Sequence, residues 1–208
     1  MEKRYFKLNS YNRLRVLNEI KKMIVNDGGK ILQYGKQFEI HATTLEMDEQ
    51  KRKKIESLPP VKYYGYGMNW GGMELKFVFN GYFYDIDYDG NPFFPIHFKK
   101  VKVNANGEYI GKRYVDTNEE YNERQWKKDQ TFVFSFGYDD FFKICDDNDI
   151  LEMAEYHYQQ IKDFLFKLPE SEVYNDRKRV PNYYNSGYHY ERIYDKTPQK
   201  IDMVFEEV

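Results

Sequence analysis

From Met73 to Tyr88 apolar and polar residues alternate, and the alternation reverses about Asn80-Gly81. Asn-Gly between two alternating runs predicts a β-hairpin closed by a type I′ turn, because both central residues of that turn take positive φ. A two-residue loop sets the register. Phe79 then faces Tyr82, Phe77 faces Tyr84, Leu75 faces Ile86 and Met73 faces Tyr88, and these eight residues share one side of the ribbon. That side is the predicted core face. The other side pairs Val78 with Phe83, Lys76 with Asp85 and Glu74 with Asp87, with Asp89 just beyond.

Helical spacing governs two longer stretches. Leu14, Leu17, Ile20 and Ile24, flanked by Val16 and Met23, predict an amphipathic helix with Ser10 as N-cap and Gly28-Gly29 as its end. Asp149–Leu168 predicts a second, with Asp149 and Glu152 at capping-box spacing and Pro169 closing it. Its expected buried stripe is Leu151, Ala154, Tyr158, Ile161, Leu165 and Leu168. Met47–Leu58 reads as a solvated, charged helix stopped by Pro59-Pro60, and Asn118–Lys128 as a polar helix carrying Trp126.

Shorter runs read as strands: Lys30–Tyr34 and Gln37–Thr43 around Gly35-Lys36, then Ile96–Val103 and Tyr109–Val115 around the turn Asn104-Ala105-Asn106-Gly107, then Thr131–Phe136. Apolar parity changes between Ile96/Phe98 and Val101/Val103, which predicts a bulge near Lys99-Lys100. Gly65–Gly72 is expected to be a loop, and Ile201–Phe205 an edge strand. In Asn91-Pro92-Phe93-Phe94-Pro95, two prolines bracket two rings that either plug the core edge or meet a partner. The expected fold class is α+β, a mainly antiparallel sheet (a meander with the Asn80-Gly81 hairpin) packed by two amphipathic helices. Residues 1–169 form a single α+β domain, and 170–208 a Tyr-rich C-terminal extension that packs on it or extends from it.

Composition alters this picture at one point. A mean hydropathy of −0.88 with 32% charged residues suggests disorder, but aromatic residues make up 19% of the chain and supply large apolar area. The net charge of −2 argues against a general polyanion binder and against a uniformly acidic nucleic-acid mimic. The single cysteine, Cys145, excludes an internal disulfide framework and favours a cytoplasmic location. No apolar run approaches the roughly 18 residues that span a bilayer, and the N-terminus lacks the pattern of a signal peptide.

The acidic side of the hairpin carries the clearest candidate chemistry. Asp85-Ile86-Asp87-Tyr88-Asp89-Gly90-Asn91 resembles the first half of an EF-hand calcium loop, with carboxylates at alternate positions before a glycine. The likeness ends there: Ile96 stands where that loop needs its bidentate glutamate, Pro92 and Pro95 intervene, and a strand precedes it. Glu74, Asp85, Asp87 and Asp89 are therefore candidate ligands for calcium or magnesium, set against a solvated acidic strand end, which is favoured. The chain has no P-loop, Rossmann glycine fingerprint, His-Glu-x-x-His or Gly-x-Ser-x-Gly motif. His41, His97, His157 and His189 lack metal-ligand spacing. His41-Ala42-Thr43 resembles half of the His-x-Thr pair of two-histidine phosphoesterases, but no second His-x-Thr follows. Cys145 adjoins two aspartates that disfavour a thiolate, so it reads as structural.

Without a catalytic constellation, surplus tyrosine directs the functional expectation to binding. The expected protein is a non-enzymatic intracellular macromolecule-binding protein with another protein as partner; a mobile-element or phage-type inhibitor is its narrower form. The candidate contact residues lie in the tail: Tyr174, Arg177, Lys178, Arg179, Tyr183, Tyr184, Tyr188 and Tyr190. Basic clusters at Lys51–Lys54, Lys99-Lys100, Lys127-Lys128 and Arg177–Arg179 leave a second reading, single-strand nucleic-acid binding, provided that they converge. A third is a divalent-metal-dependent hydrolase using Asp85, Asp87 and Asp89.

Overall fold

At the turn of the central hairpin, Asn80 has φ 50° and Gly81 φ 80°, the two positive values that a type I′ reversal requires. The computed structural model describes residues 1–44, 48–65, 73–89, 94–110, 143–168, 170, 176–181, 187–193 and 200–208. In chain order the elements are β1 (Glu2–Lys7), α1 (Leu8–Asn26), β2 (Lys30–Ile31), β3 (Lys36–Thr43), α2 (Glu49–Glu56), β4 (Val61–Gly65), β5 (Met73–Phe79), β6 (Tyr82–Asp89), β7 (Phe94–Lys102), α3 (Asp147–Asp163), a 3-10 turn (Leu165–Lys167), β8 (Asp176–Pro181) and β9 (Tyr188–Ile193). The fold is α+β.

Among the described residues three sheets form, in the orders β1-β3-β4, β2-β5-β6-β7 and β8-β9. All pairings are antiparallel except β1 with β3, which run parallel with α1 as the crossover between them. The register of β5 on β6 is the one that the two-residue loop dictates, from Phe79 opposite Tyr82 to Met73 opposite Tyr88. Met73, Leu75, Phe77, Tyr84, Ile86 and Tyr88 are buried in one core with Leu14, Leu17, Ile20 and Ile24 of α1 and Ala154, Tyr158 and Ile161 of α3. Each of the leucines and isoleucines, Met73 and Phe77 contributes about 1.5–3 kcal/mol by leaving water. Phe77 stacks on Tyr84 across the strands (4.9 Å, 13°), and Phe166 stacks on Phe79 (4.8 Å, 18°), closing the turn end of the sheet.

The helix ends differ from expectation at both N-termini. A strand, β1, runs directly into α1 at Leu8, so Ser10 lies inside the first turn and no side chain caps the helix. Its C-terminus ends as expected: Gly28 takes φ 93°, Gly28 N–H donates to the Val25 carbonyl and Gly29 N–H to that of Ile24. Helix α3 starts one turn earlier than the Asp149/Glu152 pair implies. Asp146 is its cap and Asp149 the third helical residue, each side chain accepting from the other's backbone N–H. The stripe shifts accordingly: Ile150 is buried (3% exposed) while Leu151 is exposed (42%). Asp48 caps α2 by accepting from Lys51 N–H.

The strands also correct two readings. β2 and β3 flank Gly35 (φ 70°) but enter different sheets. The register irregularity in β7 is at Ile96, between the pairs Asp87–His97 and Tyr88–Pro95, and not at Lys99-Lys100. Lys100 lies opposite Tyr84 on the core face, where its ammonium donates to the carbonyls of Phe166 (2.7 Å) and Leu168 (2.9 Å). Val101 and Val103 are buried on the other face, so both faces carry apolar residues and parity changes without a bulge.

The segment Lys200–Val208 closes the β2 edge. Gln33 N–H donates to the Val204 carbonyl (2.7 Å), Glu206 N–H to that of Ile31 (3.0 Å), and Ile201 N–H to that of Gly107 (2.8 Å). Residues 66–72, 90–93, 111–142 and 169 lie outside the described residues. So do most of the predicted Gly65–Gly72 loop, the Tyr109–Val115 strand beyond Ile110, the Asn118–Lys128 helix with Trp126, and Thr131–Phe136. Among the described residues no helix is long and apolar enough to cross a membrane.

Candidate functional site

The reverse face of the β5–β6 hairpin divides into an apolar end and an ionic end, because Val78 and Phe83 lie by the turn while Glu74, Lys76, Asp85 and Asp87 lie away from it. The apolar end is a small second core. Leu32, Phe83 and Val103 are buried there with Val78, Tyr109, Ile201 and Met203 packed around them.

At the ionic end, one carboxylate oxygen from each of Glu74, Asp85 and Asp87 falls within 4.8 Å of the others. The face is not a solvated strand end: the Asp85 side chain is only 17% exposed. Burial pulls its carboxyl above the usual carboxylate range, against the opposing pull of Lys76 and Lys99. Those two ammoniums stand among the acids. Lys76 Nζ lies 2.8 Å from Glu74 and 3.7 Å from Asp85, and Lys99 Nζ lies 3.7 Å from Asp85. The Glu74–Lys76 contact is an ion pair, without the alignment of a hydrogen bond. Lys76 also sits 3.7 Å above the Tyr34 ring, which holds it in place.

This arrangement assembles three of the four candidate metal ligands; the Asp89 side chain lies outside the described residues. It also supplies the site's own cations. A divalent ion entering between Glu74 and Asp85 meets the Lys76 ammonium, and must displace it to gain both carboxylates. Sequence placed Lys76 opposite Asp85, but Lys99 arrives from β7 and Tyr34 from the turn after β2, which hairpin register does not reveal.

Among the described side chains, His41, His157 and Cys145 are dispersed. His157 is fully buried against Tyr88, His41 lies near Glu39 (3.8 Å) and beside the Tyr5 ring, and Cys145 is buried in the core. The basic clusters do not form one cationic surface among the described residues. On α2, Lys51, Arg52 and Lys53 each pair with an acid of the same helix or its cap, Asp48, Glu56 and Glu49. Lys99 belongs to the ionic network and Lys100 is buried.

The tail forms a β-ribbon where the sequence reading expected only an adaptable polar stretch. Arg177 pairs with Arg192, Arg179 with Tyr190 and Pro181 with Tyr188, and since opposed residues share a face, these six positions lie on one side. Asp176, Lys178, Val180, His189, Glu191 and Ile193 take the other. Four predicted contact residues, Arg177, Arg179, Tyr188 and Tyr190, thus come together, while Lys178 is on the reverse face and Tyr174, Tyr183 and Tyr184 lie outside the described residues. Arg192 was missed by sequence reasoning. Residues 182–187 between the strands carry no two-residue turn signature that sets a register. No protein-family model, curated protein or solved structure matches the chain.

Proposed function

We propose that this chain is a non-enzymatic protein-binding module acting in the cytoplasm, with the arginine–tyrosine face of the β8–β9 ribbon as its contact surface. The supporting observation is the register that brings Arg177, Arg179 and Arg192 onto one face with Tyr188 and Tyr190. Arginine and tyrosine dominate the energetics of protein interfaces, because each offers a large planar surface with polar edges at low entropic cost. Three arginine positions on one side of the ribbon favour a carboxylate-rich partner surface, which arginine meets through paired N–H donors. Inhibition by covering such a surface is the narrower form of the reading.

Single-strand nucleic-acid binding has less support, because Lys51, Arg52 and Lys53 pair with acids of α2 or its cap and Lys99-Lys100 is committed elsewhere. Metal-dependent hydrolysis has less again, with Lys76 already among the carboxylates. Pull-down with the intact chain and with Arg177→Glu/Arg179→Glu/Arg192→Glu tests the proposal. The expected result is a protein partner captured by the native chain and lost by the variant, with circular dichroism unchanged. Capture that survives the triple reversal overturns it. So does a labelled single strand that binds the native chain with steep salt dependence while no protein does.

A further inference from the structure

Strand β1 forms one edge of the β1-β3-β4 sheet: it pairs with β3 on one side, and among the described residues no strand lies on the other. An edge strand directs the N–H and C=O of alternate residues away from its neighbour, a row of donors and acceptors that a further strand can meet. The two faces of β1 differ. Phe6 packs against the core, and Arg4 lies over the Phe38 ring at 3.8 Å with Glu2 ion-paired to it at 3.4 Å, so the even positions belong to the core side of the sheet. Lys3, Tyr5 and Lys7 take the opposite face, and all three are exposed. Tyr5 rests against His41 of β3, 5.5 Å between ring centres, and is largely open to solvent, 69% exposed.

Charge on the outer face selects the kind of strand. The edge column reads Lys3, Tyr5, Lys7, two cations about an aromatic ring and no acid. The carboxylate next to Lys3 in register, Glu39, belongs to β3 and lies 3.8 Å from His41. Lysines along an edge deter pairing with a strand of like sign. A second copy of β1 meets that barrier in both of its fullest antiparallel registers. Centred on Tyr5, Lys3 opposes Lys7 of the second copy; centred on Arg4, arginine opposes arginine at the middle of the pair. A strand of the opposite sign meets no such barrier. Carboxylates two positions either side of an apolar residue set an acid opposite each lysine and cover the Tyr5 ring. Each such cross-strand pair contributes about 0.2–1 kcal/mol, and main-chain hydrogen bonds supply the rest.

We infer that the outer edge of β1 is a strand-addition site for an extended acidic segment of a partner protein, with the pattern acid-x-apolar-x-acid laid along Lys3, Tyr5 and Lys7. Isothermal calorimetry and hydrogen exchange on the full chain test it, with the acetylated and amidated peptide Thr-Glu-Thr-Val-Thr-Glu-Thr as probe, whose symmetric charges serve either strand direction. The peptide is expected to bind and to slow exchange at β1 amides, because the added strand covers donors that point away from β3. Replacing both of its glutamates by lysine should weaken binding at least about tenfold. Lys3→Glu, at an exposed position that leaves the core untouched, should weaken it at least about threefold. The inference is overturned if the acidic peptide does not bind, if it binds without slowing exchange along β1, if the lysine peptide binds as well, or if Lys3→Glu binds like the native chain. It is overturned too if the peptide-free chain sediments as a dimer that the peptide dissociates, since a second copy then holds the edge. The β8–β9 ribbon pairs with no strand of this sheet, so failure here is independent of the proposed ribbon contact.

Discussion

Tyr88 Oη lies 2.8 Å from His157 Nε2, with both side chains sealed inside the core. The contact joins β6 to α3 across 69 positions of sequence. Burial drives the histidine down to about 3 and pushes the tyrosine up, so the pair is neutral across the physiological range.

That neutrality makes stability depend on acid. Between about pH 6.5 and pH 3 the unfolded chain protonates this histidine and the folded chain does not, so the unfolded state binds the extra proton. Stability contributed by His157 is therefore complete above about pH 6.5 and falls as pH drops towards 3, with a slope approaching about 1.4 kcal/mol per pH unit. His157→Gln should be less stable at pH 7 but lose stability less steeply on acidification. Urea unfolding of both proteins at several pH values checks this; parallel pH slopes would contradict the assignment.

Lys76 acts as the built-in counter-ion of the Glu74–Asp85–Asp87 cluster. Lys76→Met removes that cation and leaves half-buried carboxylates facing one another, for an expected loss of about 1–3 kcal/mol. Calcium or magnesium should stabilise this variant more than the native chain. Melting temperatures with and without each ion give the comparison, and equal shifts for the two proteins would show that Lys76 does not occupy the site.

Gly81 and Gly107 share φ near 80° but differ in their surroundings. At Gly81 an added Cβ meets nothing within 4 Å, so Gly81→Ala should cost only the left-handed backbone penalty of about 1–2 kcal/mol. At Gly107 it falls 2.5 Å from the Ile201 carbonyl and 2.8 Å from Met203, so Gly107→Ala should cost more and loosen Lys200–Val208 from the sheet. Hydrogen exchange at Ile201, Gln33 and Glu206 reports that loosening, and protection unchanged from the native chain would refute it.

Adjacent residues on α3 should behave oppositely. Ile150 sits in the core and Leu151 in solvent, so Ile150→Ala is expected to destabilise by about 2–4 kcal/mol and Leu151→Ala by less than about 0.5 kcal/mol. Chemical denaturation ranks them directly; the reverse order would place the helix in another phase.

The phase of α3 shows what limits a reading of residues alone. Asp146–Asp149 and Asp149–Glu152 have the same spacing, and either pair suits a capping box; packing of Ile150, Ala154 and His157 against α1 and the sheet selects the earlier one. The misplaced bulge in β7 has a similar origin. Val101 and Val103 look out of phase with Phe98 only if a single face of the sheet is apolar, and Lys200–Val208 makes the second face apolar by bringing Ile201 and Met203 onto it. Lys100, a cation on the core face, is tolerated because two carbonyls of a distant 3-10 turn receive it.

Among the site residues, the hairpin's carboxylates were legible as a group and their neutralisation was not. Register within β5–β6 follows from alternation and a two-residue turn, both local, and it placed Glu74, Asp85 and Asp87 on one side. Lys99 and Tyr34 come from β7 and from the turn after β2, and only the assembled sheet sets them beside Asp85 and Lys76.

The sequence by itself determined the α+β class, the Asn80-Gly81 register and the buried stripe of α1, because each depends on periodicity and turn chemistry acting over a few residues. Tertiary structure alone decided that the acids carry internal cations, that Arg192 joins Arg177 on the ribbon, and that Lys21 meets Glu206 where both are buried. Those relations join residues far apart in the chain, where closing the intervening loop leaves no local pattern and only the packed fold sets which charges meet.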